Sequence, residues 1–283
     1  MHKDNDGLSV ADVGAMLDWL QHGPPLLQPP PGVGLFDELL VARPKLEQLA
    51  PEVHRRYLSQ ADQRLGKLFE LLCRALIEQQ PHLSILAHNL VMQKQRTLGE
   101  LDLVLADCRD NSVCHVELTL KFYLGIAGNH WPGPNPDDSL ERKWQHLAEH
   151  QFPLPRRADV VPLLQQAGIA RIDRQYLFSR GQLFYPGAAH LQPPAQAHPD
   201  HLRGRWWRAS DLPADNHWQL VPRHHWLLAG RLLDNGSHHL ASTEVFDYVH
   251  QRKRPQMVIR HGFDGSRENT FIVPDQGWPN DAG

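Results

Sequence analysis

The chain's 283 residues, 41% of them hydrophobic, are enough to bury one large core or a core with additions. With 29 basic against 32 acidic residues the formal net charge is -3, which excludes a strongly basic nucleic-acid coat and confines any grip on phosphates to local groups. No apolar run is long enough to cross a bilayer, the opening MHKDNDGLSV has neither a basic nor an apolar leader segment, and three cysteines without a CxxC pair suit reduced thiols. The expectation is a cytoplasmic protein with no membrane partner. The 19 histidines are scattered and form no HExxH arrangement. The doublets His224-His225 and His238-His239 are expected to point to opposite faces of a strand, with structural or surface roles ahead of zinc binding.

In chain order, Val13, Met16, Leu17 and Leu20 recur at helical spacing and predict a short amphipathic helix, ended by the proline-rich stretch Pro24 to Pro31. Phe36, Leu39 and Leu40 open another short helical piece, so residues 1–55 read as a helical wrapper without visible chemistry. From Tyr57 to Gln80 runs the longest helical pattern, with Leu65, Leu68, Phe69, Leu72 and Leu76 as its stripe and Pro81 as its stop. Glu70 lies in this pattern, and taken alone it is a solvated acid between Lys67 and Arg74. Ile85 to Gln93 alternates as a strand.

Gly99 to Phe122 then reads as two strands and a tight turn made by Arg109, Asp110, Asn111 and Ser112. In the second strand Cys114, Val116, Leu118, Leu120 and Phe122 share one face, and His115, Glu117, Thr119 and Lys121 the other. In the first, Leu101, Leu103 and Leu105 oppose Glu100, Asp102 and Val104. Such a hairpin can set Asp102 beside Glu117, and two close carboxylates either raise one pKa or recruit a cation. Magnesium fits because it takes oxygen ligands, keeps several waters, and is held by one or two carboxylates plus substrate phosphates. Lys121, on the face of Glu117, could orient the attacking water or stabilise charge building on a phosphate.

After the loop Gly125 to Pro136, where Trp131 is either a base-stacking wall or a packing residue, a helix is expected over Ser139 to Gln151. Its Leu140, Trp144 and Leu147 would cover the apolar face of the sheet, leaving Lys143 off that stripe, solvated or on substrate phosphates. Val160 to Ala167 reads as helix, Ile172 to Phe178 and Leu183 to Tyr185 as strand pieces, and Pro186 to Pro199 as a linker or long loop. Beyond it, tryptophans and leucines suggest short strands, with a short helix over Thr243 to Tyr248 and late strands at Met257 to Ile259 and Phe271 to Val273. Arg205 beside the pair Trp206-Trp207 suits phosphate contact with base stacking, against a bland alternative of buried Trp fringed by solvated arginines.

GELDLVL followed by HVELTLKFY, with Glu70 on an upstream helix, resembles the PD-(D/E)XK nuclease superfamily, and in particular an uncharacterised bacterial branch with a restriction-endonuclease-like core. FYLG, WPGPN, the helix through Lys143 and the Trp pair carry the resemblance nearly end to end. It implies an α/β (α+β) fold: a mixed central sheet with a β-hairpin active site flanked by helices. The nuclease-like core would span residues 56–185, and an extension over 200–283 would pack on it.

It also implies a magnesium site, with manganese as a substitute, at Asp102 and Glu117, a supporting acid at Glu70 and a catalytic lysine. The position two after the acid, where the pattern wants Lys, is Thr119; Lys121 lies two further on the same face, about 7 Å away by strand rise. Catalysis is thus assigned to Glu70, Asp102, Glu117 and Lys121, and nucleic-acid contact to Lys143 and Arg205, with DNA ahead of RNA as partner. The ranked expectations are a metal-dependent nuclease, then a catalytically inactive protein of the same fold that binds nucleic acid or a protein, then a structural protein.

Overall fold

The computed structural model describes residues 7–214, 217–228, 239–262 and 264–278. His238, one half of the second histidine doublet, lies outside the described residues. Ser9 opens the first helix, α1 (Val10–His22), through a capping box in which its hydroxyl accepts the Asp12 N–H and Asp12 accepts the Ser9 N–H. A two-residue strand β1 (Gly34–Leu35) precedes α2 (Leu46–Leu58) and α3 (Leu65–Ile77). The single helix expected from Tyr57 to Gln80 is therefore two. Asp62 accepts the Arg64 N–H at 3.1 Å, and this local side-chain bond competes with helical pairing and closes the break.

Three strands follow, β2 (Leu83–Gln93), β3 (Thr97–Asp107) and β4 (Ser112–Leu124), each antiparallel to the next as their short links require. The segment after them forms α4 (Leu140–His146), which runs on into one π-helical turn, Leu147–Gln151, and a shorter α5 (Val161–Gln166). The two predicted strand pieces around residues 172–185 are one strand, β5 (Arg174–Pro186), parallel to β4 along its length. The Pro186 to Pro199 stretch is a loop tied back to the N-terminal segment by His198 N–H to Leu26 O and Gln28 N–H to Gln196 O.

The chain ends in β6 (Arg203–Arg208), β7 (Trp218–Leu220), α6 (Ser242–Arg252), β8 (Gln256–His261) and β9 (Arg267–Val273). His224 and His225 sit in a 3-10 helix rather than a strand. The strands make a nine-stranded mixed sheet in the order β2-β3-β4-β5-β6-β9-β8-β7, with β1 beside the first part of β5. Helices flank it, and the molecule is a mixed α/β protein of the α+β class. No helix among the described residues is long and apolar enough to cross a membrane.

The expected alternation of β4 holds. Cys114, Val116, Phe122 and Leu124 pack in one cluster with Leu68, Phe69 and Leu72 of α3 and Met16, Leu17 and Leu20 of α1. The cover of that apolar face is thus α1 and α3, not the helix after the loop as the sequence suggested. Helix α4 lies on the opposite face, where Leu140 and Leu147 pack with Tyr123, Trp131, Leu177 and Leu183. Both faces of β4 are covered, so its polar residues lie under a helix.

Candidate active site around Asp102 and Glu117

Strand β3 is irregular at its central acid. Leu103 and Leu105 pack with the α3 cluster, but Leu101 sits with Val104, Met92 and Leu154 in another, so the expected common face of the three leucines is broken. The paired positions pass from His88↔Leu103 to Leu90↔Leu101, and pairing with β4 stops at Leu103↔Val116. Asp102 thus drops out of both ladders. Asn89, across from it, adopts left-handed backbone at φ 49, a conformation Asn tolerates better than most residues. With its own ladder interrupted, Asp102 Oδ2 accepts the Leu118 N–H at 2.8 Å, so the side chain replaces a missing strand partner.

Burial, and after it the charge of Glu117, push the Asp102 carboxyl up to about 7; the Leu118 N–H and the Lys143 ammonium oppose the rise. The charge of Glu117 thus acts on Asp102 in the direction that neighbouring carboxylates require. Glu117 is fully buried. Its Oε1 lies 2.7 Å from His115 Nε2, and its Oε2 accepts the Gln151 Nε2–H at 2.7 Å. Neither His115 nor Gln151 was assigned a role from sequence. His115 was visible as a same-face neighbour two residues away, whereas no local pattern marks Gln151, which the π-helical turn brings onto Glu117 from 34 residues along the chain.

The two lysines exchange prominence. Lys121 Nζ bonds Asp138 Oδ2 at 2.6 Å and is partly exposed. Lys143 comes in from α4, and burial lowers the pKa of its ammonium while Glu117 and Asp102 act to raise it. Thr119, between Glu117 and Lys121 on the strand face, is buried, and its hydroxyl finds no hydrogen-bond partner among the described residues. His146, one turn past Lys143, has its pKa lowered by burial and by Lys143 and His150.

Glu70 is held by Lys67 Nζ at 2.8 Å and by Asn89 Nδ2 at 3.1 Å, and its charge contributes to the rise at Asp102. Arg74, expected beside it, instead contacts His88 at 3.3 Å. Glu70 also walls a cavity of about 670 Å³ shared with Arg64, Lys67, Arg223 and His224.

Other candidates are not gathered here. Arg205 lies on β6, two strands from β4, with Nε 3.6 Å from Glu268 and a bond to Pro186 O. Trp206 is buried against Trp278 and donates to Gly125 O, and Trp131 is fully buried with its ring edge-on to Tyr185. Both serve packing, whereas Trp207 is half-buried beside the cluster of Ala209 and Trp218.

Among the described residues no group of three or more His, Cys, Asp and Glu side chains is arranged to hold a metal ion. A cation here would rest on Asp102 and Glu117 with solvent and substrate oxygens. That all-oxygen donor set, in which the charge of Glu117 already raises the Asp102 carboxyl, fits magnesium and not zinc.

No curated protein and no solved structure matches the chain. A family model does match, over residues 16–271, from within α1 to within β9. The chain belongs to the family described as "Domain of unknown function (DUF1853)".

Proposed function

We propose that this protein is a metal-dependent phosphodiesterase acting on nucleic acid, with a PD-(D/E)XK-like arrangement of its acids. The observation that carries the reading is the Asp102 carboxyl on the Leu118 N–H, next along the strand from buried Glu117, and pushed up to about 7 by burial and by the charge of Glu117. A carboxylate pair held in that state is costly for the fold and useful to a reaction that needs a divalent cation.

Asp102 and Glu117 would hold magnesium, or manganese in its place. The bound ion supplies positive charge opposite the negative charge that develops on phosphate oxygens. Lys143, half-buried and electrostatically coupled to both acids, adds a second positive charge on the same side and takes the role that Thr119 leaves open. Lys121 stands one position further out, where release from Asp138 would free it for the substrate or the attacking water. Glu70, fixed by Lys67 and Asn89, adds a third negative charge near Asp102 and so strengthens the attraction of the site for a cation.

The engagement of Lys121 by Asp138, together with Thr119 at the expected lysine position, favours a second reading, a catalytically inactive protein that binds nucleic acid. The deciding experiment is magnesium- and manganese-dependent cleavage of pooled single- and double-stranded DNA and RNA, run beside Asp102→Ala, Lys143→Ala and Lys121→Ala. Cleavage that is lost with Asp102→Ala and Lys143→Ala supports the enzyme. Absence of cleavage, with salt-sensitive binding that survives Asp102→Ala, supports the binder.

A further inference from the structure

His115 of β4 is fully buried against Gln175 of β5 and Phe152 at the end of the π-helical turn, and its two ring nitrogens face different partners. Nδ1 lies 3.3 Å from Gln175 Nε2, and Nε2 lies 2.7 Å from Glu117 Oε1. The orientation of Gln175 is fixed independently, because its Nε2 is 2.6 Å from Phe152 O. Reversing that amide would set two carbonyl oxygens against each other, so the nitrogen must face Phe152 and its second N–H must face the imidazole. Nδ1 is therefore an acceptor, and the ring proton sits on Nε2, pointed at Glu117. From the other side Gln151 Nε2 donates to Glu117 Oε2 at 2.7 Å. Each carboxylate oxygen accepts one hydrogen bond and keeps capacity for another.

We propose that His115 is the positioning residue of this site: the chain Gln175–His115–Glu117, braced by Gln151, fixes the Glu117 carboxylate in one orientation and keeps it ready to ligate a divalent cation. The inference rests on reading Asp102 and Glu117 as cation ligands. The physical logic is general. A free glutamate has three rotatable bonds to restrain when it takes a ligand, whereas one held by a buried imidazole and a half-buried amide has already lost that freedom. An apolar core needs neither the imidazole nor the Gln175 amide, and burying them is acceptable only because they are paired with each other and with Glu117 and Phe152 O.

The test is manganese binding to the full chain, by electron paramagnetic resonance or calorimetry, without nucleic acid. His115→Phe keeps the ring volume and removes the donor; His115→Gln restores an amide N–H at the distance of Nε2. Expected is a roughly 10- to 100-fold loss of manganese affinity in His115→Phe and recovery of most of it in His115→Gln. Wild-type affinity in a folded His115→Phe chain would overturn the proposal. If His115→Phe does not fold, Gln151→Leu on the partly exposed side decides the matter by the same criterion. Failure of the wild-type chain itself to bind manganese would instead remove the metal reading on which the proposal stands.

Discussion

Asp102 is the residue at which function and stability pull apart. Its carboxyl is pushed from an ordinary 3.8 up to about 7 by burial and by Glu117. Between those two pH values the folded chain holds a proton that the unfolded chain releases. The stability contribution is therefore full below about pH 4 and is lost as pH rises through 7, by an amount on the order of 2–4 kcal/mol. Asp102→Asn is isosteric, keeps an oxygen to accept the Leu118 N–H, and cannot ionise. It should raise the melting temperature at pH 8, change it little at pH 4, and abolish metal-dependent activity. Melting curves at the two pH values check this, and a variant less stable than wild type at pH 8 would refute the sign.

Helix α4 with its π-helical turn delivers Lys143 and Gln151 to the strand that carries Glu117. Leu147, fully buried in the cluster with Tyr123 and Leu177, anchors this element. Leu147→Ala should cost about 2–5 kcal/mol, and so should Leu72→Ala in the α3 cluster. Only the first should also weaken manganese binding, because only the first loosens the element that holds Glu117; equal effects on binding would show that α4 does not set the site. The strands have a similar point of dependence. Gly181 lies beside Lys121 in the β4–β5 ladder at φ 138, and a Cβ there would come within 1.7 Å of the Lys121 carbonyl oxygen. Gly181→Ala should therefore unfold the β4–β5 register, lowering the denaturation midpoint by far more than an alanine at the exposed Gly66, where no heavy atom stands within 4 Å of the added Cβ.

At the scale of the molecule, the N-terminal helices are joined to the sheet by a buried cation. Arg180 of β5 is fully buried, and its guanidinium bonds Leu20 O, Ser179 O and Asp37 while lying 4.3 Å from the centroid of Phe178. The main cluster runs from Leu8 through Trp278. Arg180→Met should cost about 3 kcal/mol, since it leaves Leu20 O and Asp37 without this donor. The denaturant transition should remain single with an unchanged slope; two separate transitions would mean that the N-terminal helices unfold as a unit of their own.

The sequence by itself determined the local elements and the candidate chemistry. Period-two alternation from Cys114 to Phe122 fixed which β4 residues share a face, because a strand allows only two directions for its side chains. Turn residues between two strands made Asp102 and Glu117 neighbours, since a short link leaves antiparallel pairing as the near choice. Helical stripes located α1, α3 and α4, although the Asx turn at Asp62 splits the pattern from Tyr57 onward. Tertiary structure alone decided the rest. It chose α1 and α3 for the apolar face and laid α4 over the polar one, burying Glu117 and bringing in Lys143 and Gln151. It also broke β3 at Asp102, where Asn89 across the ladder takes up the irregularity. The physical reason is that periodicity reports which face of an element is apolar, but not which element will cover it. The acids' partners come from positions far along the chain, and no local pattern in the sequence records that choice.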